Sequence, residues 1–464
     1  MSLIILAALA LPAWGAQDHR PPAPKAGAPS AQLGDIGRRV AAAAPGSVVE
    51  IPPGVYHERL RIDKPLTLVG VGSPVIDAGG AGDAVEIGAP GVELRGFVVR
   101  ATGNDLDAES AGIRVLAPRA RVLDNRLEDV LFGIDLREAP DCVVRGNSVG
   151  GKKLDIARRG DGLRLWRSDR TVIEGNTFHD GRDAIIWYST GVVVRANTAR
   201  RCRYGFHMMY TDSIVIEDNL MSENSVGLYL MYSRGVEIRG NRLLRNRGPS
   251  GYGVGMKETD RFSATDNVVV GNRVGIYLDG SPFSTDRPGL FTGNTIACND
   301  VGMTFLPAVR GTRIVGNNFI DNIEQVCVQG RGSLEGNEFW HGEEGNFWSD
   351  YVGYDKDADG VGDFVHESQT LFESLVDREP RLRLFMYGPA HQAIEFVGRA
   401  LPAVRPEPKF TDEVPRMHPV AVRALASDRP ARPWSLGGVA AALLGAGVAA
   451  VASGRRAWSR GGTT

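Results

Sequence analysis

Apolar residues along this chain alternate in short bursts rather than in helical stripes. The bursts read V-x-I-x-x-N, as in Val236, Ile238 and Asn241, and each is closed by an asparagine that usually follows Gly or Asp. These asparagines stand at Asn125, Asn147, Asn176, Asn197, Asn219, Asn241, Asn267, Asn294, Asn317 and Asn337, about 20 to 29 residues apart. Between them a small residue opens a second strand, at Gly112, Gly133, Gly162, Ala184, Gly205, Gly227, Gly253, Gly275 and Gly302. Alternation by two sends one set of side chains inward and the other outward. A single coil of this length cannot bury its own inward set, so coils must stack at about 4.8 Å per rung into continuous apolar columns. Two strand signals in each period predict an all-β chain, a right-handed parallel β-helix. The asparagines suit its corners, where an amide tolerates unusual backbone angles and hydrogen-bonds its counterparts above and below. A leucine-rich repeat has a similar period but needs a Leu-rich consensus and a helical segment in each repeat, which this chain lacks.

The solenoid, of the pectin-lyase-like kind, is expected over residues 34–340. A short amphipathic helix at 31–44, with Leu33, Ile36 and Val40 on one face, is placed to cap its first coil. Strands are expected at 47–51, 60–62, 66–69 and 92–99. Residues 341–400 read as a Gly/Asp-rich loop followed by a helical C-terminal cap, and 401–433 as a Pro-rich linker. The apolar start, 1–16, reads as an export signal and 17–33 as a Pro/Ala-rich linker. Residues 434–453 carry no charge, a length that spans a bilayer core of ~30 Å. Arg455 and Arg456 would keep residues 454–464 cytoplasmic and leave the solenoid outside, tethered to the inner membrane.

Composition narrows the partners. The 58 glycines among 464 residues suit a turn-dense solenoid, and a net charge of −2 argues against a nucleic-acid partner. Four cysteines, Cys142, Cys202, Cys298 and Cys327, form no C-x-x-C pair and read as mostly buried small apolar residues.

Aligning the middle coils on their small residue sets Ala184-Ile-Ile-Trp-Tyr against Gly205-Phe-His-Met-Met-Tyr and Gly227-Leu-Tyr-Leu-Met-Tyr. Phe206, Met208, Leu228 and Leu230 then face inward. His207, Met209, Tyr229 and Met231 face outward on one exterior patch, with Tyr188 on the rung before. An imidazole and two thioethers without a carboxylate form a soft donor set that suits Cu(I) far better than Mg²⁺ or Ca²⁺. The same patch also reads as gap-filling methionines or as a partner-docking surface. Cys327 shares the outward column but about five rungs on, or ~24 Å away, too far to join one ion. Asp355, Asp357, Asp359 and Asp363 open like a calcium loop, D-x-D-x-D-G, but position twelve is His366 where such a loop needs Glu. That stretch reads as a structural Ca²⁺ site or as an acidic turn. Met417-His418 in the linker reads as a solvated pair or a soft-metal relay. Asp161, Asp180, Asp183 and Arg164, with Trp166 and Tyr188, keep open a carbohydrate-active enzyme on the same face: a lyase, hydrolase or epimerase.

The tandem segments beginning Gly205-Phe-His-Met-Met-Tyr and Gly227-Leu-Tyr-Leu-Met-Tyr resemble those of the NosD family. The block Gly345-Asn-Phe-Trp-Ser-Asp-Tyr running into Asp355-Lys-Asp-Ala-Asp-Gly does so too. The resemblance implies a periplasmic accessory protein without catalysis of its own, required to mature the copper–sulfide centre of nitrous oxide reductase. Its implied partners are an ABC transporter permease with its ATPase, the reductase, and a copper chaperone lipoprotein. It implies His207, Met208, Met209 and Met231 as copper candidates and Tyr210 and Tyr232, beside Tyr188 and Tyr229, as docking residues. The inward assignment of Met208 sets His207 and Met209 ahead of it.

Overall fold

In the computed structural model, the described residues are 33–421 except 285, 331, 332, 369, 370, 387 and 405. The expected export signal, the 434–453 anchor and the cytoplasmic tail lie outside them. Among the described residues no helix is long and apolar enough to cross a membrane.

The alternating strands wind into a right-handed solenoid of three parallel sheets, with 12, 13 and 12 strands, and each turn adds one strand to each sheet. Strand i pairs with strand i+3 in every turn but the last, so equivalent residues of successive turns lie side by side. Inward positions merge into one continuous core. One interior column runs Ile186, Met208, Leu230, Met256, Leu278, Phe305, Val328, all of them buried. Helix α1, Asp35–Ala42, caps the first turn with Ile36 and Val40 fully or nearly fully buried. Leu33, expected on that face, is instead exposed because it precedes the helix and points off its end.

Two amide ladders hold the corners. In the first, the Oδ1 of Asn219 accepts from the backbone N–H of Asn197 at 2.9 Å and from its Nδ2 at 3.0 Å, and the pattern repeats on each rung from Asn125. After Asn317 the next member is Asn346, not Asn337. Asn337 stands off the ladder, its Oδ1 accepting from Thr312 N–H. The second ladder, Asn224, Asn246, Asn272, Asn299 and Asn322, was not anticipated, although each member follows a first-ladder asparagine by five residues. The recurrent glycines have a different cause. A Cβ on Gly205 would stand 2.5 Å from the carbonyl oxygen of Gly227, and one on Gly227 2.7 Å from that of Gly253.

The last rung is closed by chain expected to be linker. Phe347–Trp348 still pairs with the strand Asn318–Ile320, and Asp412 continues the first ladder by accepting from Asn346 N–H at 2.7 Å and from the Trp348 indole at 2.9 Å. Helices α2, Leu371–Arg378, and α3, Pro389–Ala400, follow the acidic loop. Lys409 fastens this cap to the solenoid, donating to Glu324 at 3.0 Å and Asp377 at 2.7 Å. Cys327 donates to the other oxygen of Asp377. Cys142 and Cys202 are buried as well, whereas Cys298 is exposed.

On the outward face of the third sheet, Arg114, Asp135 and Arg164 stand in register and form a buried network with Arg137, Glu109 and Asp83. Burial acts to raise the Asp135 carboxyl, but Arg164, Arg114 and Arg137 outweigh it and hold it far below the carboxylate range. A depressed acid contributes stability above its unfolded pKa of about 3.9 and loses it as pH falls through the folded value. Thermal melts should therefore show a steep loss of stability below about pH 4, and Asp135→Asn should flatten that acid limb. Asn219→Ala strands buried donors at roughly 1–3 kcal/mol each. It should lower the denaturation midpoint markedly, and Gly227→Ala should be costlier than Ala184→Gly.

Candidate functional site

The strand Tyr204–Met209 lies between Asp183–Trp187 on the rung before and Val226–Met231 on the rung after. Alternation sends Phe206 and Met208 inward, both fully buried. Met208 is therefore a core residue, and its backbone position turns its thioether away from any ion held by His207. His207 and Met209 face outward. Met209 pairs in register with Met231, and His207 with Tyr229.

The imidazole bridges two rungs. His207 Nε2 is 3.3 Å from Met231 Sδ on one side, and Nδ1 is 3.7 Å from Asp183 Oδ2 on the other. The second distance is an ion-pair separation rather than a hydrogen bond, and Nδ1 is buried without a hydrogen-bond partner. Tyr204 meets the ring edge-on at 5.0 Å, and Tyr229 lies nearly parallel to it at 6.0 Å. These two rings cover the imidazole, leaving only 7 % of His207 exposed. The expected open patch is thus a covered pocket, because side chains on neighbouring outward positions are as broad as the rung spacing. Met209 and Met231 remain half-buried and form its wet edge.

Asp183 is buried and clamped. Arg203 donates to it through Nε, at 2.9 Å to Oδ1, and through Nη2 to Oδ2. Burial acts to raise the Asp183 carboxyl, but His207 and Arg203 hold it below its ordinary value. Asp161, buried beside it, moves the other way: burial and the charge of Asp183 push it well above the carboxylate range despite Arg182, Arg164 and Arg203. Asp183 was read only as one of several carboxylates suited to sugar chemistry. Its place beside His207 follows from register that residue spacing alone does not give.

The tyrosines separate into two groups. Between Asp183 and Ile185 the pairing with Tyr204–Met209 shifts by one residue. Trp187, not Tyr188, therefore stands beside Met209, and Tyr188 falls in the turn that follows. There Tyr188, Tyr210 and Tyr232 adopt left-handed backbone, with φ of 48°, 53° and 52°. Their rings stack at 5.0 and 4.9 Å with interplanar angles of 8° and 13°. Trp166 closes one end of the stack edge-on at 4.8 Å, and the Lys257 ammonium lies 5.7 Å from the Tyr232 ring centre at the other. Tyr210 is 43 % exposed. Tyr229 belongs instead to the His207 column, and burial raises its phenol above the ordinary value.

Cys327 does share that column, through Tyr229, Gly255, Tyr277 and Thr304, five rungs beyond His207. In the acidic loop, Asp355, Asp357 and Asp359 bring carboxylate oxygens within 4.8 Å of one another. Asp363 is turned away, accepting from Lys356 N–H at 2.7 Å, and His366 stacks on Trp348 rather than completing a ligand set.

The family described as "Periplasmic copper-binding protein (NosD)" matches residues 146–353, a span that contains the His207 pocket. A protein of Pseudomonas aeruginosa named "Probable ABC transporter binding protein NosD" is 30 % identical over 391 residues, covering 81 % of this chain and 89 % of that one. One of the same name from Stutzerimonas stutzeri is 28 % identical over 382 residues, covering 79 % and 86 %. Among solved structures, the Dettilon tailspike protein aligns with a TM-score of 0.45 at 12 % identity, covering 62 % of this chain and 63 % of that one. With relatives matched over most of both lengths, this chain belongs to the NosD family.

Proposed function

We propose that this chain is a non-catalytic periplasmic accessory protein that handles Cu(I) beside an ABC transporter and serves assembly of the copper–sulfide centre of nitrous oxide reductase. The observation that carries the reading is the His207–Met231 contact at 3.3 Å, with Met209 on the neighbouring rung of the same face. Imidazole nitrogen and thioether sulfur are soft ligands that favour Cu(I) over Mg²⁺ and Ca²⁺. Half-buried thioethers suit an ion that must leave again, since they can move aside without opening the core. The family description and the names of the curated relatives support copper and a transporter as the setting.

The stacked Tyr188, Tyr210 and Tyr232 supply an aromatic column beside the methionines, Tyr210 and Tyr232 directly following Met209 and Met231, suited to docking the lipoprotein that brings copper or the reductase that takes it. Of the three carboxylates named for sugar chemistry, Asp180 is tied to Arg201 at 2.8 Å and the other two are buried. Asp161 is 3 % exposed and Asp183 1 %, and Asp183 is committed to Arg203.

In a Cu(I) competition titration under reducing conditions, the His207→Ala/Met231→Ala double variant should bind at least tenfold more weakly than wild type. Indistinguishable affinities would put the site elsewhere. Tyr210→Ala should leave the affinity unchanged and slow copper transfer to the partner. Deletion of the chain should yield reductase protein that is present but spectroscopically lacks its copper–sulfide centre, and a normal centre in that deletion would end the reading.

A further inference from the structure

We propose that Asp183, clamped by Arg203, is a positioning residue that holds His207 with its proton on Nδ1, so that the Nε2 lone pair faces the thioether side of the pocket. The inference rests on the copper reading above and adds the groups that prepare the ligand.

The imidazole is placed along the solenoid axis between a carboxylate one rung before it and a thioether one rung after it. Of its two nitrogens, Nδ1 faces Asp183 at 3.7 Å and Nε2 faces Met231 at 3.3 Å. Nδ1 is buried with no hydrogen-bond partner, and the carboxylate oxygen Asp183 Oδ2 lies 3.7 Å from it as an acceptor. A charge-assisted N–H···O⁻ bond is roughly twice as strong as a neutral one and stronger than N–H to a thioether, so the carboxylate dictates the tautomer. Asp183 itself cannot swing away. Arg203 holds both its oxygens, the backbone N–H of Tyr204 donates to Oδ1 at 3.3 Å, and the guanidinium lies over the Tyr204 ring at 4.6 Å.

The two distances are complementary. Shortening Nδ1···Oδ2 to hydrogen-bond length requires the ring to slide toward Asp183. The same slide opens Nε2···Sδ beyond 3.3 Å. Metal–nitrogen and metal–sulfur lengths of about 2.0 and 2.3 Å at a trigonal angle need about 3.7 Å between those atoms. A slide of roughly 0.5 Å along the axis brings Nδ1···Oδ2 to about 3.2 Å, the long end of the N–H···O range, and opens Nε2···Sδ to about 3.8 Å, so the hydrogen bond and the space for the ion arise together. Carboxylate–histidine pairs of this kind fix ring orientation and raise ligand basicity, and their loss typically costs about 10- to 100-fold in metal affinity.

The test uses the full chain and two variants, Asp183→Asn and Arg203→Gln, with circular dichroism as the folding check. Two-bond ¹H–¹⁵N correlation spectra of the metal-free protein, with His207 assigned by His207→Gln, report its tautomer. Cu(I) competition titration reports affinity. Wild type should carry the proton on Nδ1. Asp183→Asn should lose that preference and bind Cu(I) about 10- to 100-fold more weakly, and Arg203→Gln several-fold more weakly. Should Asp183→Asn fail to fold, Arg203→Gln, whose side chain is 38 % exposed, carries both readouts. A wild-type Nε2–H tautomer overturns the proposal. So does a variant with unchanged tautomer, whether its affinity falls or stays. Absence of Cu(I) binding by wild type would overturn the copper reading instead, while the tautomer spectra still decide whether Asp183 governs the ring.

Discussion

The register between successive turns is the constraint on which the rest depends. Each asparagine amide accepts two hydrogen bonds from the rung before and donates to the next, so adjacent turns cannot slip without stranding buried donors. A one-residue slip would also turn every apolar side chain of a strand outward. With register locked, any position in the repeat becomes a column running the length of the molecule. Interior columns are the core, and exterior columns are where chemistry accumulates. On the third sheet one exterior column passes from Arg114, Asp135 and Arg164 through Ile185 to His207, Tyr229 and on to Cys327.

Graded polarity along that column explains why the pocket lies where it does. The arginine–carboxylate network at its N-terminal end is buried, and each of its charges has opposite partners. Such a network is rigid, because removing any member leaves a buried charge uncompensated. In the neighbouring outward column Arg137 is followed by Trp166, Trp187, Met209 and Met231, so apolar side chains cover the sheet there, flanked by the tyrosine stack. His207 sits at the junction, with a clamped carboxylate behind it and half-buried thioethers in front. A site stiff on one side, with flexible methionine side chains on the other, can both orient a ligand atom and let an ion go.

Much of this was legible in the residues alone. Alternation by two with a recurrent asparagine predicts stacked coils, because no other arrangement buries the apolar half of so short a period. The inward place of Met208 and the outward place of His207, Met209, Tyr229 and Met231 follow from the same alternation, as does Cys327 five rungs away. The soft character of the imidazole and thioether donors is a matter of composition, but the expectation of a set without a carboxylate fails, because register brings Asp183 against His207. The second asparagine ladder was also readable, five residues after the first, but it competes with many other Asn-containing turns.

What only the tertiary structure decided were relations between turns rather than within them. The extra residue at Gly205, which moves Tyr188 off the methionine column and puts Trp187 there, leaves no mark in spacing because a bulge and a longer turn have the same length in sequence. Asn346 takes the ladder position expected of Asn337 because the chain loops out and returns, a choice made by Asp412 waiting beyond it. The stacking of Tyr229 on His207 and the partnership with Asp183 arise from side chains some twenty residues away in either direction. Local pattern determines which way a side chain points; only the packed stack determines what it meets there.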